Sequence, residues 1–255
     1  MAVGRAIDYY GGWTMTLSSL WKRHGIDIVI RYVGQPHNSK CITARELHGL
    51  RDNDISLCWV YETTATWMLG GRSAGQRAAT AALSHIQSIG GPSDAIVYYA
   101  ADWDVQETDL AACYACLDGA ARETPSAQVG VYGGYRLVHG ALDEGYAAWA
   151  WQAAAWQYGH IDPRCALLQH VGETWGPLGV NYDGDDVRKT DVGQWPSPSA
   201  GGIPNPAPAP SPTPPQPQGE PPWAWHAKVT NSGQTLTATY VPVQQSLRAL
   251  RGLMS

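Results

Sequence analysis

The sequence has no apolar run approaching the roughly 18 residues that cross a bilayer as a helix, so membrane integration is not expected. Nor does it carry an excess of positive charge. Its 17 Lys and Arg stand against 22 Asp and Glu, a net charge of -5, which leaves no basic field to attract nucleic acid. The first residues, MAVGRAIDYYGG, lack the basic start and apolar core of a signal peptide, because Arg5 and Asp8 break the apolar stretch at once. Synthesis in the cytoplasm is expected, with any action outside the cell following release. Cysteines are few and odd in number: Cys41, Cys58, Cys113, Cys116 and Cys165. Cys113 and Cys116 alone have a suggestive spacing. With no second pair and no His-x-x-x-His nearby, all five read as small buried thiols, and neither a metal nor a cofactor is expected.

What is present is enough apolar material for a sizeable core, 44% of 255 residues. The composition changes sharply at residue 196. From there PSPSAGGIPNPAPAPSPTPPQPQGEPP contains 12 prolines in 27 residues, which predicts an extended linker over 196–222 rather than a packed unit. Residues 1–195 then form one domain, and 223–255 a small tail. The tail holds Lys228, Arg248 and Arg251 but no Asp or Glu. Val243, Leu247, Leu250 and Met254 fall at helical spacing, a face suited to packing on its own module, docking on a partner or self-association.

Before the linker, eight strand-like segments alternate with longer stretches: GRAID, DIVIRYV, ISLCWVYE, AIVYYAAD, QVGVYGG, YAAWAWQ, CALLQHV and GVNYD. Helical patterns occupy 14–25, 43–53, 71–91, 107–123 and 134–145. The order predicts an α/β fold, a (β/α)8 barrel of the TIM type; a doubly wound open sheet is the competing layout and explains the strand count less well.

Several strands end in acids. GRAID ends at Asp8, WVYE at Glu62, YYAADWD at Asp102 and Asp104, and VNYDGDD at Asp183 with Asp185 close behind. Strand alternation puts Asp102 and Asp104 on one face. In a barrel of this type the strand ends meet at one mouth, so acids far apart in sequence converge there. Singly, each has a plain alternative: a helix cap, a backbone contact, or a buried pair of Glu62 with Arg31. Together they suit glycoside cleavage, which needs one protonated acid beside one ionised carboxylate, or else an oxygen-rich site for a divalent cation. Tyr9, Tyr61, Trp103, Tyr132 and Trp151 lie at or beside strand ends, and flat rings with polar edges suit sugar faces. A phosphodiesterase or deacetylase metal site is disfavoured, since only His170 falls at a strand end.

The segments AIDYYGG, IVIRYVG, KCITARELHGLRDNDISLCWVYE, IVYYAADWDV, VGVYGGY and VNYDGDD, in this order, resemble the glycoside-hydrolase-like barrel domain of actinobacteria and their phages, a distant relative of the family 25 lysozymes. The resemblance covers about residues 4–190. It implies a (β/α)8-type barrel that acts on or binds peptidoglycan or another wall polysaccharide, as an endolysin or a virion-associated protein would. Asp8, Asp102 with Asp104, and Asp183 fall where those lysozymes carry their acids. Beside these acids, Tyr132, Trp103, Trp151, Tyr9, Tyr61, Gln152 and Asp185, at or near strand ends, are the expected substrate contacts. One position departs: Asp104 stands where the lysozymes have the acidic Glu. Its shorter side chain would misplace the carboxyl by about an ångström, enough to cost about 10²-fold in rate. Either Glu62 supplies the acid from the third strand, or Asp104 does so in a slow or altered site, or the barrel binds carbohydrate without cleaving it.

Overall fold

Short apolar segments rich in Val, Ile and Tyr pair side by side in parallel: β1 (Gly4–Asp8), β2 (Ile28–Val33), β3 (Ser56–Tyr61), β4 (Val97–Ala100), β5 (Val129–Gly133), β6 (Trp149–Ala153) and β7 (Leu167–Gln169). The computed structural model describes residues 2–172, 174–175, 178–197, 227–231 and 234–238. A two-residue strand, β8 (Thr174–Trp175), pairs with the start of β9 (Asn181–Val187). β9 then closes the barrel between β7 and β1.

The closed eight-stranded barrel is the TIM-type architecture expected, with one difference. The eighth strand is expected to end at Asp183 and to run parallel to its neighbours; β9 starts at Asn181 and runs antiparallel to both β7 and β1. The link over 170–180 explains this. Its described residues include no helix, and a parallel crossover needs a dozen or more residues, usually helical, to return the chain to the opposite end.

Five helices wrap the described barrel: α1 (Met15–Arg23), α2 (Ala44–Arg51), α3 (Gly71–Ser88), α4 (Glu107–Ala121) and α5 (Tyr135–Asp143). Each lies inside the segment its pattern predicts. Local chemistry sets their starts. The Thr43 hydroxyl accepts the Glu46 backbone N–H at 3.2 Å, and Asp109 Oδ2 accepts that of Gln106 at 3.0 Å, caps that satisfy otherwise orphaned groups at the first turn. α3 and α4 cross backbone to backbone at two glycines. A Cβ on Gly75 would stand 1.8 Å from the Cys116 carbonyl oxygen, and one on Gly119 2.1 Å from that of Arg72.

Strand alternation divides the core into two layers. Outward residues such as Ile7, Val29, Trp59, Val97 and Val131 pack under the helices. Inward residues, among them Ala6, Ile30, Cys58, Tyr98, Trp151, Leu167 and Val187, fill the barrel itself. The segment after β9 plugs the bottom. Leu57 and Trp195 exchange two backbone hydrogen bonds, and the Val192 carbonyl accepts the Tyr98 hydroxyl at 2.7 Å.

The chain divides into two units at Pro206/Ala207. In the second, β10 (Ala227–Asn231) and β11 (Gln234–Ala238) form an antiparallel hairpin. The expected linker conformation and the helical face from Val243 to Met254 lie outside the described residues.

Candidate active site

Asp8 is the last residue of β1 and shares its inward face with Ala6. Across the seam Asp183 is level with Asp8, and Asp185 with Ala6. Because Val187 points into the barrel, the two-residue period of β9 carries Asp185 and Asp183 inward as well. The two acids of one strand thus stand at successive depths, Asp183 at the lip and Asp185 one layer below. Asp185 is buried; its Oδ1 accepts the Trp151 indole N–H at 2.7 Å, while its Oδ2 has no hydrogen-bond partner. An ionised carboxylate left so is costly, and burial pushes Asp185 up to about 8, against the opposing Trp151 hydrogen bond.

Asp8 is raised well above the ordinary carboxylate range, first by burial and then by the charges of Asp185 and Asp183. A short relay fixes it in place. The Tyr132 hydroxyl donates to Gln169 Oε1 at 2.6 Å, and Gln169 Nε2 donates to Asp8 Oδ2 at 2.7 Å.

Glu62 and Asp102 follow β3 and β4 at the same mouth. Burial raises both; Lys40 opposes this in each, and Asp102 raises Glu62 further. The Lys40 ammonium lies 3.4 Å from Glu62 Oε1 and 4.7 Å from the centre of the Tyr32 ring. Arg31, weighed as the partner of Glu62, instead binds Glu46 through Nε at 2.6 Å on the outside of the barrel.

The mouth therefore gathers Asp8, Glu62, Asp102, Asp183 and Asp185 with Tyr132 and Trp151. Asp104 is not among them. β4 ends at Ala100, the Asp102 backbone N–H turns to the Ala65 carbonyl at 3.2 Å, and beyond it the alternation that would align Asp104 with Asp102 no longer holds. The Asp104 carboxylate meets Tyr158 and, at 3.9 Å, Arg136.

Four expected sugar contacts also lie elsewhere. Tyr9 is buried beneath α2, where its hydroxyl donates to Glu46 Oε1 at 2.5 Å. Tyr61 packs edge-on against Trp67 in the outer layer, and Trp103 donates to Asp109 Oδ2 at 3.2 Å. Gln152 is buried and spans the β6–β7 link, donating to the His160 carbonyl and accepting from the Asp162 N–H. Conversely Tyr32, Lys40 and Gln169 belong to the mouth, though no motif singles them out. Tyr32 and Gln169 fall in phase with the inward residues Ile30 and Leu167. His170 pairs with Asp186 at 3.1 Å. Among the described residues no group of three His, Cys, Asp or Glu side chains is arranged to hold a metal.

A helix-wrapped closed barrel with carboxylates lining one mouth defines a glycoside-hydrolase-like protein. The family model of the Rv2525c-like, glycoside hydrolase-like domain matches residues 19–187, and the chain belongs to that family. It is similar to the Tat-secreted protein Rv2525c of Mycobacterium tuberculosis, solved in complex with HEPES, at 25% identity and a TM-score of 0.68 over 76% of this chain and 100% of that one. Two structures from Streptococcus pneumoniae share the fold. They are the modular autolysin LytC (14% identity, TM-score 0.52, 71% of this chain and 46% of that one) and the family 25 glycosyl hydrolase GHIP (12%, 0.51, 72% and 86%). No curated protein sequence matches the chain.

Proposed function

We propose that the barrel is a glycosidase of the lysozyme type acting on peptidoglycan or a related wall polysaccharide. One observation carries the reading: a single mouth holds carboxylates in two unlike settings, the buried, proton-retaining Asp8 and Asp185 and the more open Glu62 and Asp102. Glu62, raised by burial, is the acid that protonates the leaving glycosidic oxygen. Asp102 as carboxylate meets the positive charge developing at the sugar carbon or draws the proton from the attacking water. Asp8, protonated and oriented by Gln169, donates a hydrogen bond to a substrate oxygen, with Asp183 beside it at the lip and the Tyr132 oxygen, whose proton goes to Gln169, as an acceptor. Support comes from the family and from the fold shared with LytC, an autolysin, and GHIP, a family 25 hydrolase.

The place of action is the bacterial wall. Rv2525c is Tat-secreted; for this chain, release as an endolysin or presence on a virion serves the same end. Among the described residues no helix is long and apolar enough to cross a membrane.

A second reading, carbohydrate binding without cleavage, is favoured by the withdrawal of Asp104 to the rim. The assay that separates the two follows new reducing ends in purified peptidoglycan. Wild-type protein is expected to release them, and Glu62→Gln to slow release by about 10²-fold or more. Release no greater than that of an Asp102→Asn/Glu62→Gln double variant, with wall binding kept, leaves the binding reading alone standing.

A further inference from the structure

We propose that Tyr158, clamped by Asp104 and Arg136 on the rim of the mouth, is an outlying stacking subsite for a neutral pyranose ring of an extended wall glycan. The inference rests on the glycan reading above and deepens it by assigning a site outside the carboxylate cluster.

Three connections meet at this point, each following the C-terminal end of a barrel strand. Asp104 lies after β4, Arg136 in the first turn of α5 after β5, and Tyr158 beyond the 3-10 turn Ala154–Trp156 that follows β6. The Tyr158 hydroxyl donates to Asp104 Oδ2. The Arg136 guanidinium sits 5.3 Å from the centre of the Tyr158 ring and 3.9 Å from Asp104 Oδ1, and is itself held by the Val105 carbonyl at 2.5 Å and by Glu107 at 3.0 Å.

This clamp stabilises an arrangement that folding alone does not favour. Tyr158 has a φ of 50°, left-handed backbone that a bulky residue adopts only under constraint, yet the residue remains 54% exposed. A strained backbone that buries little ring area gains little for the core. Its effect is to hold a flat aromatic surface in solvent at fixed orientation.

The chemistry around the ring selects the ligand. The apolar C–H face of a pyranose stacks on an aromatic face, and its hydroxyls reach polar groups at the ring's edge. Here Asp104, bonded to the ring hydroxyl, supplies an acceptor at that edge, while Arg136 lies over one ring face and the sugar takes the other. Two carboxylates, of Asp104 and Glu107, flank the single guanidinium, so the edge offers no net positive charge to draw an acidic sugar. A neutral N-acetylhexosamine fits. Asp104, at the position of the lysozyme acid, is thereby a positioning residue for the platform.

The test compares binding of N-acetylglucosamine oligomers of two and six units to wild type, Tyr158→Gly and Asp104→Ala. Wild type is expected to prefer the hexamer. Tyr158→Gly should weaken hexamer binding by about ten-fold, leave dimer binding unchanged, and melt no lower than wild type because glycine accepts the left-handed backbone. Asp104→Ala should show a smaller loss confined to the hexamer. Hexamer binding unchanged in Tyr158→Gly overturns the subsite and leaves the cleft reading intact. A wild type that binds neither oligomer nor peptidoglycan overturns both.

Discussion

Asp185 shows how much one buried side chain governs here. Its pKa lies above that of an unfolded aspartate, so the native state prefers the protonated form and binds the proton more tightly than the unfolded chain does. Stability at this site is therefore greatest below the ordinary carboxylate range and is lost as pH rises from about 4 toward 8. Asp185→Asn keeps an acceptor for the Trp151 indole and removes the titration. The variant should melt several degrees above wild type at pH 8, with the gap closing at pH 4, in thermal melts across that range. Legibility in the sequence follows the pleat at this scale. Asp8 and Trp151 are inward; Tyr9 and Gln152, each one residue further on, must face away, as must Tyr61 before Glu62. Strand alternation alone would have removed these three from the expected sugar contacts. Trp103 and Asp104 are a different case, because the strand ends before them and nothing local in YAADWD marks where alternation stops.

At the level of elements, the sequence places all five helices and seven of the eight barrel strands within a few residues, because capping residues and apolar periods state them locally. What it does not state is the direction of β9, which depends on how little chain the 170–180 link offers. The α3–α4 crossing is equally silent. By helix propensity, replacing Gly75 with Ala should stabilise α3 by about 1 kcal/mol. The Cys116 carbonyl oxygen, 1.8 Å from where that Cβ would stand, reverses the sign. Gly75→Ala is expected to cost about 2 kcal/mol or more, and Gly119→Ala a similar amount, read from the urea midpoints of unfolding at constant slope. A gain in either would mean that the two helices do not meet backbone to backbone.

For the molecule as a whole, the segment after β9 belongs to the barrel despite lying beyond its last strand. It contributes the Trp195–Leu57 backbone pair and the Val192 carbonyl that accepts from Tyr98. A chain ending at Ser197 should retain a single cooperative melt. One ending at Lys189 strips the floor, leaves the buried Tyr98 hydroxyl unsatisfied, and should lose several kcal/mol or fail to fold, as judged by circular dichroism and thermal denaturation.

The reversed course of β9 also brings the start of β1 and the end of β9 to one pole. Gly4 opens β1 directly opposite Val187, which ends β9, and the Val3 N–H bonds the Val187 carbonyl at 2.7 Å. The chain therefore enters β1 and leaves β9 side by side on the pole away from the acids, as in a cartridge wired from the back. Neither the residue before β1 nor the segment that follows β9 as far as Trp195 crosses the entrance.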